Sequence, residues 1–259
     1  MKSRVALFLR VVLCGILMVV VIFPVLYMFL GSLIKDGTFS LDSYYQILLR
    51  HPYFLPKFWI SLILSFAIVL GQLVVSCLAG FAFAKYSFFG KRMLFIMLIV
   101  LMLLPVQAVL VPNYIVFGNL GLLGTWWPLL AAGIFTPFGA FLMTHVFRSV
   151  PDELIEAAML EGAGLPRILC DIMAPVARAG VISLIILSFI DAWNMVEQPV
   201  AFLSDTSKYP LGVFLAYFNS ENLPLSFACG VLALLPGFLL FLFYRDELTR
   251  GLTYTGQVE

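Results

Sequence analysis

The amino-acid sequence predicts an all-α, polytopic membrane protein with six transmembrane helices, and three observations carry that reading. Of its 259 residues, 63% are hydrophobic and only 11% charged, against roughly 25% charge in ordinary soluble domains. Mean hydropathy is +1.07, which implies more apolar surface than a core can absorb. The charge-free runs also have the length of crossings, since about 20 apolar residues span a hydrocarbon layer of about 30 Å.

The first run, between Arg10 and Lys35, holds 24 uncharged residues and predicts a span at 11–33. Its basic front, MKSRVALFLR, resembles the start of a secretory signal. The run is too long for one and no A-x-A site follows, so it reads as a retained helix. The second run, 27 residues between Lys57 and Lys85, predicts a span at 58–84. Along it Gln72, Ser76, Gly80 and Ala84 recur every four residues on one face. Small residues at that spacing let helix backbones approach closely, and Gln72 is the one member that also suits a solute pathway.

From Met93 to Phe147 there is no Lys, Arg, Asp or Glu over 55 residues. The stretch GNLGLLGT, Gly118 to Thr125, divides this run into spans at 93–117 and 126–147. Pro105 and Pro112 predict that the earlier helix is bent or broken near its outer half, because proline removes a donor and clashes with the preceding turn. Gln107, between those prolines, is a second pathway candidate, since broken membrane helices face protein or a water-filled cavity. A fifth run, interrupted by Asp191 and Glu197, predicts a span at 180–203. The sixth, 23 residues between Glu221 and Arg245, predicts one at 225–244.

Six crossings place both ends on one side. With that side inside, the inner segments hold Lys2, Arg4, Arg10, Lys85, Lys91, Arg92, Arg148, Arg167, Arg178, Arg245 and Arg250, which is 11 of 15 basic residues. That bias predicts cytoplasmic termini. The chain reads as a single transmembrane domain over 1–259 with one larger inner loop at 148–178. Cys14, Cys77, Cys170 and Cys229 show no C-x-x-C spacing and read as packing residues. His51 and His145 match no ligand pattern, so no metal is expected.

The inner loop contains DELIEAAMLEGAG, with four carboxylates and no base. Ser149 with Asp152 three residues on matches a capping box, and Pro151 suits a first helical turn. Gly162 and Gly164 supply a stop, and Pro166 starts a second helix. Leu154, Ala157, Ala158 and Glu161 fall at spacings of three and four, which predicts one small, apolar face with acid at its edge. Helices that lie on anionic lipid carry Lys and Arg. This hairpin, from Pro151 to Gly180, has two bases and five acids, a net of −3, and so suits a basic groove on a cytosolic protein.

In the fifth run Asp191, Asn194 and Gln198 sit at i, i+3 and i+7, one face of a continuous helix, with Asp191 about 15 Å from its inner end. A carboxylate there costs at least about 2.5–3.5 kcal/mol unless water or a partner meets it. The stripe therefore reads either as a hydrated solute route, with Trp193 as an aromatic platform, or as a structural contact to another subunit. Glu197 lies nearer the outer edge, where solvent suffices. No Ser-His-Asp set, carboxylate pair or cluster of metal ligands appears that would predict catalysis within the chain.

Glu156-Ala157-Ala158, then Gly162, Ile172 and Pro175, keep the spacing of the motif E-A-A-x-x-x-G-x9-I-x-L-P, with Ala174 where Leu is usual. These residues resemble the "EAA" loop of permease subunits in binding-protein-dependent ABC importers. FSLDSYYQIL, LAGFAFAKYSFFGKR, PVQAVLVPNYIVFGNLGLLGT, SVPDELIEAAMLEGAG, DAWN with FLSD after it, and TRGLTYTG extend the resemblance to nearly the whole chain, in the maltose-type carbohydrate branch. Met195 departs from the Glu usual after Trp-Asn.

The resemblance implies a type I importer permease in a bacterial or archaeal cytoplasmic membrane. Its expected partners are a second homologous permease, two ATPase subunits, an extracytoplasmic solute-binding protein and membrane lipid, without nucleic acid. ATP and Mg would bind at the ATPase partners, and this chain holds no cofactor; it lacks the phosphate loop G-x-x-x-x-G-K-[ST]. The implied coupling residues are Glu153, Glu156, Ala157, Ala158, Glu161, Gly162, Ile172 and Pro175. The expected cargo is a sugar or oligosaccharide. Alternatives are an importer of a glycerol phosphodiester or similar ester, which should need basic residues in its route, and a proton-coupled carrier relaying through Asp191, against which no inverted repeat is visible.

Overall fold

The computed structural model describes residues 2–35, 37–218 and 222–254, with side-chain surroundings for 10–35, 37–218 and 222–246. The basic side chains Lys2, Arg4 and Arg250, the side chains of the tail motif and the run-ending Glu221 lie outside what is described.

In chain order, α1 (Lys2–Ser32) leads through a two-stranded hairpin, β1 (Ile34–Lys35) and β2 (Thr38–Phe39), into α2 (Asp42–Tyr45), which continues as a π turn, Gln46–Arg50. Then come α3 (Phe54–Lys85), α4 (Lys91–Met102), α5 (Val106–Asn119), α6 (Trp127–Ile134) and α7 (Pro137–Arg148). The inner hairpin is α8 (Asp152–Leu160), then α9 (Leu165–Arg167) running through a π stretch, Ile168–Met173, into α10 (Ala174–Val176). The chain continues with α11 (Arg178–Trp193), α12 (Glu197–Phe202), α13 (Leu211–Tyr217) and α14 (Leu223–Tyr254). Among the described residues four stretches, Arg10–Ser32, Phe54–Lys85, Trp127–Arg148 and Leu223–Asp246, are long and apolar enough to cross a membrane, and two bent pairs raise the number to six if each pair is one span.

The helices pack as two units. The first comprises Met1–Pro56 and Leu215–Leu235. Here Tyr27 meets Phe227 edge to face with ring centroids 5.7 Å apart, and Lys35 pairs with Asp42. The hydrogen bond from Lys35 holds the Asp42 carboxyl below its ordinary range.

The second unit, Lys57–Phe214 and Pro236–Glu259, carries the functional candidates. Its core joins α3, α7, the inner hairpin and α11 through Phe81, Met143, Phe147, Ile155, Ala158, Ile168, Met173 and Leu184, all buried. Each large side chain there contributes about 1.5–3 kcal/mol by leaving water. The small-residue stripe of α3 is the seam of this packing: Gln72, Ser76 and Gly80 are buried. A Cβ on Gly80 would stand 2.5 Å from Met143 Cβ, and one on Gly139 would stand 2.0 Å from Ser76 Oγ. On the opposite face of α3, Trp59, Ile63, Phe66, Leu70, Val74 and Leu78 stand exposed, the apolar stripe a membrane helix shows to lipid or to a partner helix.

Three of the expected spans are interrupted, and the one read at 126–147 divides into α6 and α7 at Phe135 and Thr136. The single helix read at 93–117 is two helices, α4 and α5, bent by 106°. Its break falls at mid-length rather than in the outer half, because Pro105, with no N–H and an extended ψ of 145°, pushes Leu104 out of helical geometry. Pro112 lies within α5 without ending it. The helix read at 180–203 stops at Trp193. There Asn194 Nδ2 donates to the Ile190 carbonyl at 2.9 Å, a local bond that competes with helix continuation. An unbroken helix would also drive the Pro199 ring against the carbonyl of Met195. The chain instead reopens as α12.

Candidate functional site

The first site is a cavity of about 330 Å³ inside the second unit, walled by α3, the start of α5, the α6–α7 junction, the end of α11 and the start of α12. Gln72 reaches it from the α3 seam and donates to Thr136 Oγ1 at 2.5 Å. Thr136 stands there because Pro137 opens α7 and leaves the preceding residue extended, with ψ 136°. Asp191, Asn194, Glu197 and Gln198 line the same space.

The expected geometry of that polar stripe is corrected. Asp191 and Gln198 belong to different helices, α11 and α12, and the break at Asn194–Val196, not a seven-residue helical period, turns both toward the cavity. Trp193 does not face it. Its ring is buried, stacked on Phe189 at 5.6 Å and set edge-on to Phe58 at 5.4 Å. It is a packing residue that anchors the end of α11. Gln107 lies beside the cavity, and its Nε2 donates to both Glu197 oxygens, at 2.8 and 3.1 Å. Glu197 is therefore bound and lines the cavity rather than simply solvated. Ser188 and Thr136 were missed from sequence. Ser188 was within reach, three residues before Asp191 on one helical face.

The loop beyond α12 is tied down by bonds that no local pattern announces. Buried Lys57 donates to the carbonyls of Thr206 and Ser207, Lys208 to Gly124 O at 2.7 Å, and Leu211 N to Ser61 Oγ at 2.6 Å. Asp205 in this loop is held below the ordinary carboxylate range by hydrogen bonds from Ser207.

The second site is the inner hairpin. A helix does begin after Pro151, but the capping box does not form: Ser149 Oγ donates backward to Val146 O at 2.7 Å, and α8 has no side-chain cap. Its end is closed by Gly162 at φ +81°, with Ala163 N bonded to Ala158 O at 2.9 Å and Gly162 N to Met159 O at 3.0 Å. That bond pair is a Schellman stop, which needs the left-handed residue glycine supplies. Gly164, at φ −78°, plays no such part.

The face expected from Leu154, Ala157, Ala158 and Glu161 is split. Ile155 and Ala158 turn into the core, whereas Glu153, Leu154, Glu156, Ala157, Leu160 and Glu161 point outward. Leu160 is 90% exposed, an apolar side chain at the end of an acidic helix. Ile172 is half-buried against the core and Pro175 is exposed. Lys85, at the end of α3, fastens the hairpin: its Nζ donates to Val150 O and to Asp152 Oδ1, the latter at 2.6 Å. The outward surface can dock on a partner, while Ala158 and Ile172 hold it in place from behind.

With this geometry in view, comparisons with known proteins are specific. Residues 72–250 match the family described as binding-protein-dependent transport system inner membrane component. The sn-glycerol-3-phosphate transport system permease protein UgpE of Yersinia pestis bv. Antiqua (strain Antiqua) is 30% identical over 200 residues, covering 74% of this chain and 70% of that protein. UgpE of Shigella flexneri serotype 5b (strain 8401) is 34% identical over 149 residues, covering 56% of this chain and about half, 52%, of that protein. Among solved structures, a chain from a bacterial ABC transporter involved in the import of the acidic polysaccharide alginate shares this fold. Its TM-score is 0.83 at 20% identity, over 95% of this chain and 98% of that one.

Proposed function

The chain belongs to the family of binding-protein-dependent transport system inner membrane components, and from that premise we propose that it is one of two permease subunits of an ATP-driven ABC importer for a sugar or oligosaccharide. A second, homologous permease completes the pore, an extracytoplasmic binding protein delivers the cargo, and two ATPase subunits dock on the inner hairpin. Nucleotide and Mg belong to those ATPases. Residues 1–259 act as one permease domain with both termini in the cytosol.

The observation that carries this reading is the hairpin's outward surface. Three exposed acids, Glu153, Glu156 and Glu161, share the outward surface with the exposed, apolar Leu160 on an element seated in the core from behind, while the fourth, Asp152, pairs with Lys85. An acidic, apolar-tipped helix fits a basic cleft with a hydrophobic floor. Closure of the ATPase dimer pushes α8, and Lys85 passes that push to α3. The α3 seam then moves Gln72 at the cavity wall. Nucleotide and cargo couple because each favours a different state of this one element.

The names of the UgpE relatives favour a second cargo, glycerol 3-phosphate. The cavity wall holds amide, hydroxyl and carboxylate groups and no Lys, Arg or His, which suits a sugar's hydroxyls better than a phosphate. The direct test is Glu156→Lys in the full importer, reconstituted in vesicles. Uptake should fall at least about tenfold, with membrane insertion intact and ATPase recovery reduced, because a cation replaces an anion in a basic cleft. Unchanged uptake and unchanged ATPase co-purification would refute the docking role. Uptake driven by a proton gradient without ATP would replace the importer with a secondary carrier.

A further inference from the structure

The cavity wall has a definite sign. Asp191 and Glu197 are the acidic side chains of its lining, which holds no Lys, Arg or His. Most polar groups around them are engaged: Gln72 on Thr136, Asn194 on Ile190 O, and Glu197 on Gln107. Three are not. Among the described residues, the side chains of Asp191, which is exposed, and of Gln198 have no hydrogen-bond or ion-pair partner, and Ser188, only 5% exposed, has an Oγ with none. A buried hydroxyl aimed into a cavity without a partner calls for one from the occupant.

Resting on the importer reading, we propose that this cavity is a charge filter whose occupant is a hydroxyl-rich solute without negative charge, admitted by Ser188 and Asp191 and screened against anions by Asp191 and Glu197. Two like charges in a small cleft with apolar walls focus their field on whatever enters. A neutral polyol donates hydroxyl hydrogen bonds to those carboxylates, whereas a phosphate or uronate, whatever hydroxyls it carries, also brings a like charge. The cargo of this chain therefore differs in charge from glycerol 3-phosphate and from an acidic polysaccharide. Leu129, Ala132 and Gly133 supply the apolar side of the wall, against which the carbon face of a sugar ring lies.

The test uses the complete importer in vesicles, with the four native cysteines replaced and Ala132→Cys introduced in the wall. Position 132 is titrated with a trimethylammonium methanethiosulfonate and, separately, with a sulfonate methanethiosulfonate, each rate normalised to that of a small free thiol. The cationic reagent should react at least about tenfold faster, and Asp191→Asn with Glu197→Gln should bring the ratio close to one. A ratio near one in the unaltered wall overturns the filter, as does a ratio indifferent to the double replacement. Failure of both reagents to reach position 132 overturns it equally, since the cavity is then no passage. Uptake of glycerol 3-phosphate as fast as that of a neutral oligosaccharide also sinks it. If the reagent ratio holds but ATP drives no uptake, the importer reading fails and the sign of the cavity stands.

Discussion

Replacing Lys85 with methionine tests whether α3 and the hairpin move as one piece. The ammonium makes two bonds, to Val150 O and to Asp152 Oδ1, and the side chain is only 10% exposed, while that of Asp152 is 73% exposed. Solvent around Asp152 limits the ion pair to about 0–1 kcal/mol. The bond from a charged donor to the carbonyl contributes about 1.5–3 kcal/mol. Methionine keeps the apolar stem and loses both bonds, so attachment of the hairpin should weaken by about 2–3 kcal/mol. At 1.4 kcal/mol per tenfold, that is roughly a 30- to 140-fold shift toward the detached hairpin. Hydrogen exchange at the amides that open α8 should accelerate accordingly. In vesicles, the ATP hydrolysed per solute imported should rise, because the motor then pushes an element no longer bolted to α3. Lys85→Arg, which restores the charged donor, should recover most of both readouts. Exchange rates and coupling ratio unchanged in Lys85→Met would refute the reasoning.

Gly80→Ala places a Cβ 2.5 Å from Met143 Cβ and 2.8 Å from its carbonyl carbon; α7 must shift, and overpacking of this kind costs about 1–3 kcal/mol. The complex should melt several degrees lower, and an unaltered melting curve would show that the seam is slack. Gly162→Val meets no steric neighbour, but it forces a β-branched residue to φ +81° at about 1–3 kcal/mol. ATPase recovery and uptake should fall together, with Gly162→Asn milder than Gly162→Val because Asn tolerates the left-handed region. Equal effects of the two would point away from backbone strain.

The hairpin was legible because its signals are local. Net acid, a helix opened after Pro151 and a glycine stop all lie within a few residues of the structure they specify. The seam of α3 was legible for the same reason, since Gln72, Ser76 and Gly80 carry their own period. The failures share one cause. Carrying the helical period through Asp191, Asn194 and Gln198 assumed an unbroken helix, and the Asn194 side chain with Pro199 ended it at Trp193. Ala157 and Ala158 are chemically alike, so nothing local says that one faces solvent and the other the core.

Run length, composition and backbone-special residues thus determined by themselves that this chain is a membrane component built of apolar helices, and where its acidic hairpin turns. Only the tertiary structure decided which side chains share a space: Gln72 with Asp191, Gln107 with Glu197, Lys85 with Asp152. Spacing along a chain propagates orientation only while a helix continues. Beyond each break, long-range packing of α3 against α7 and α11 sets the direction in which a side chain points.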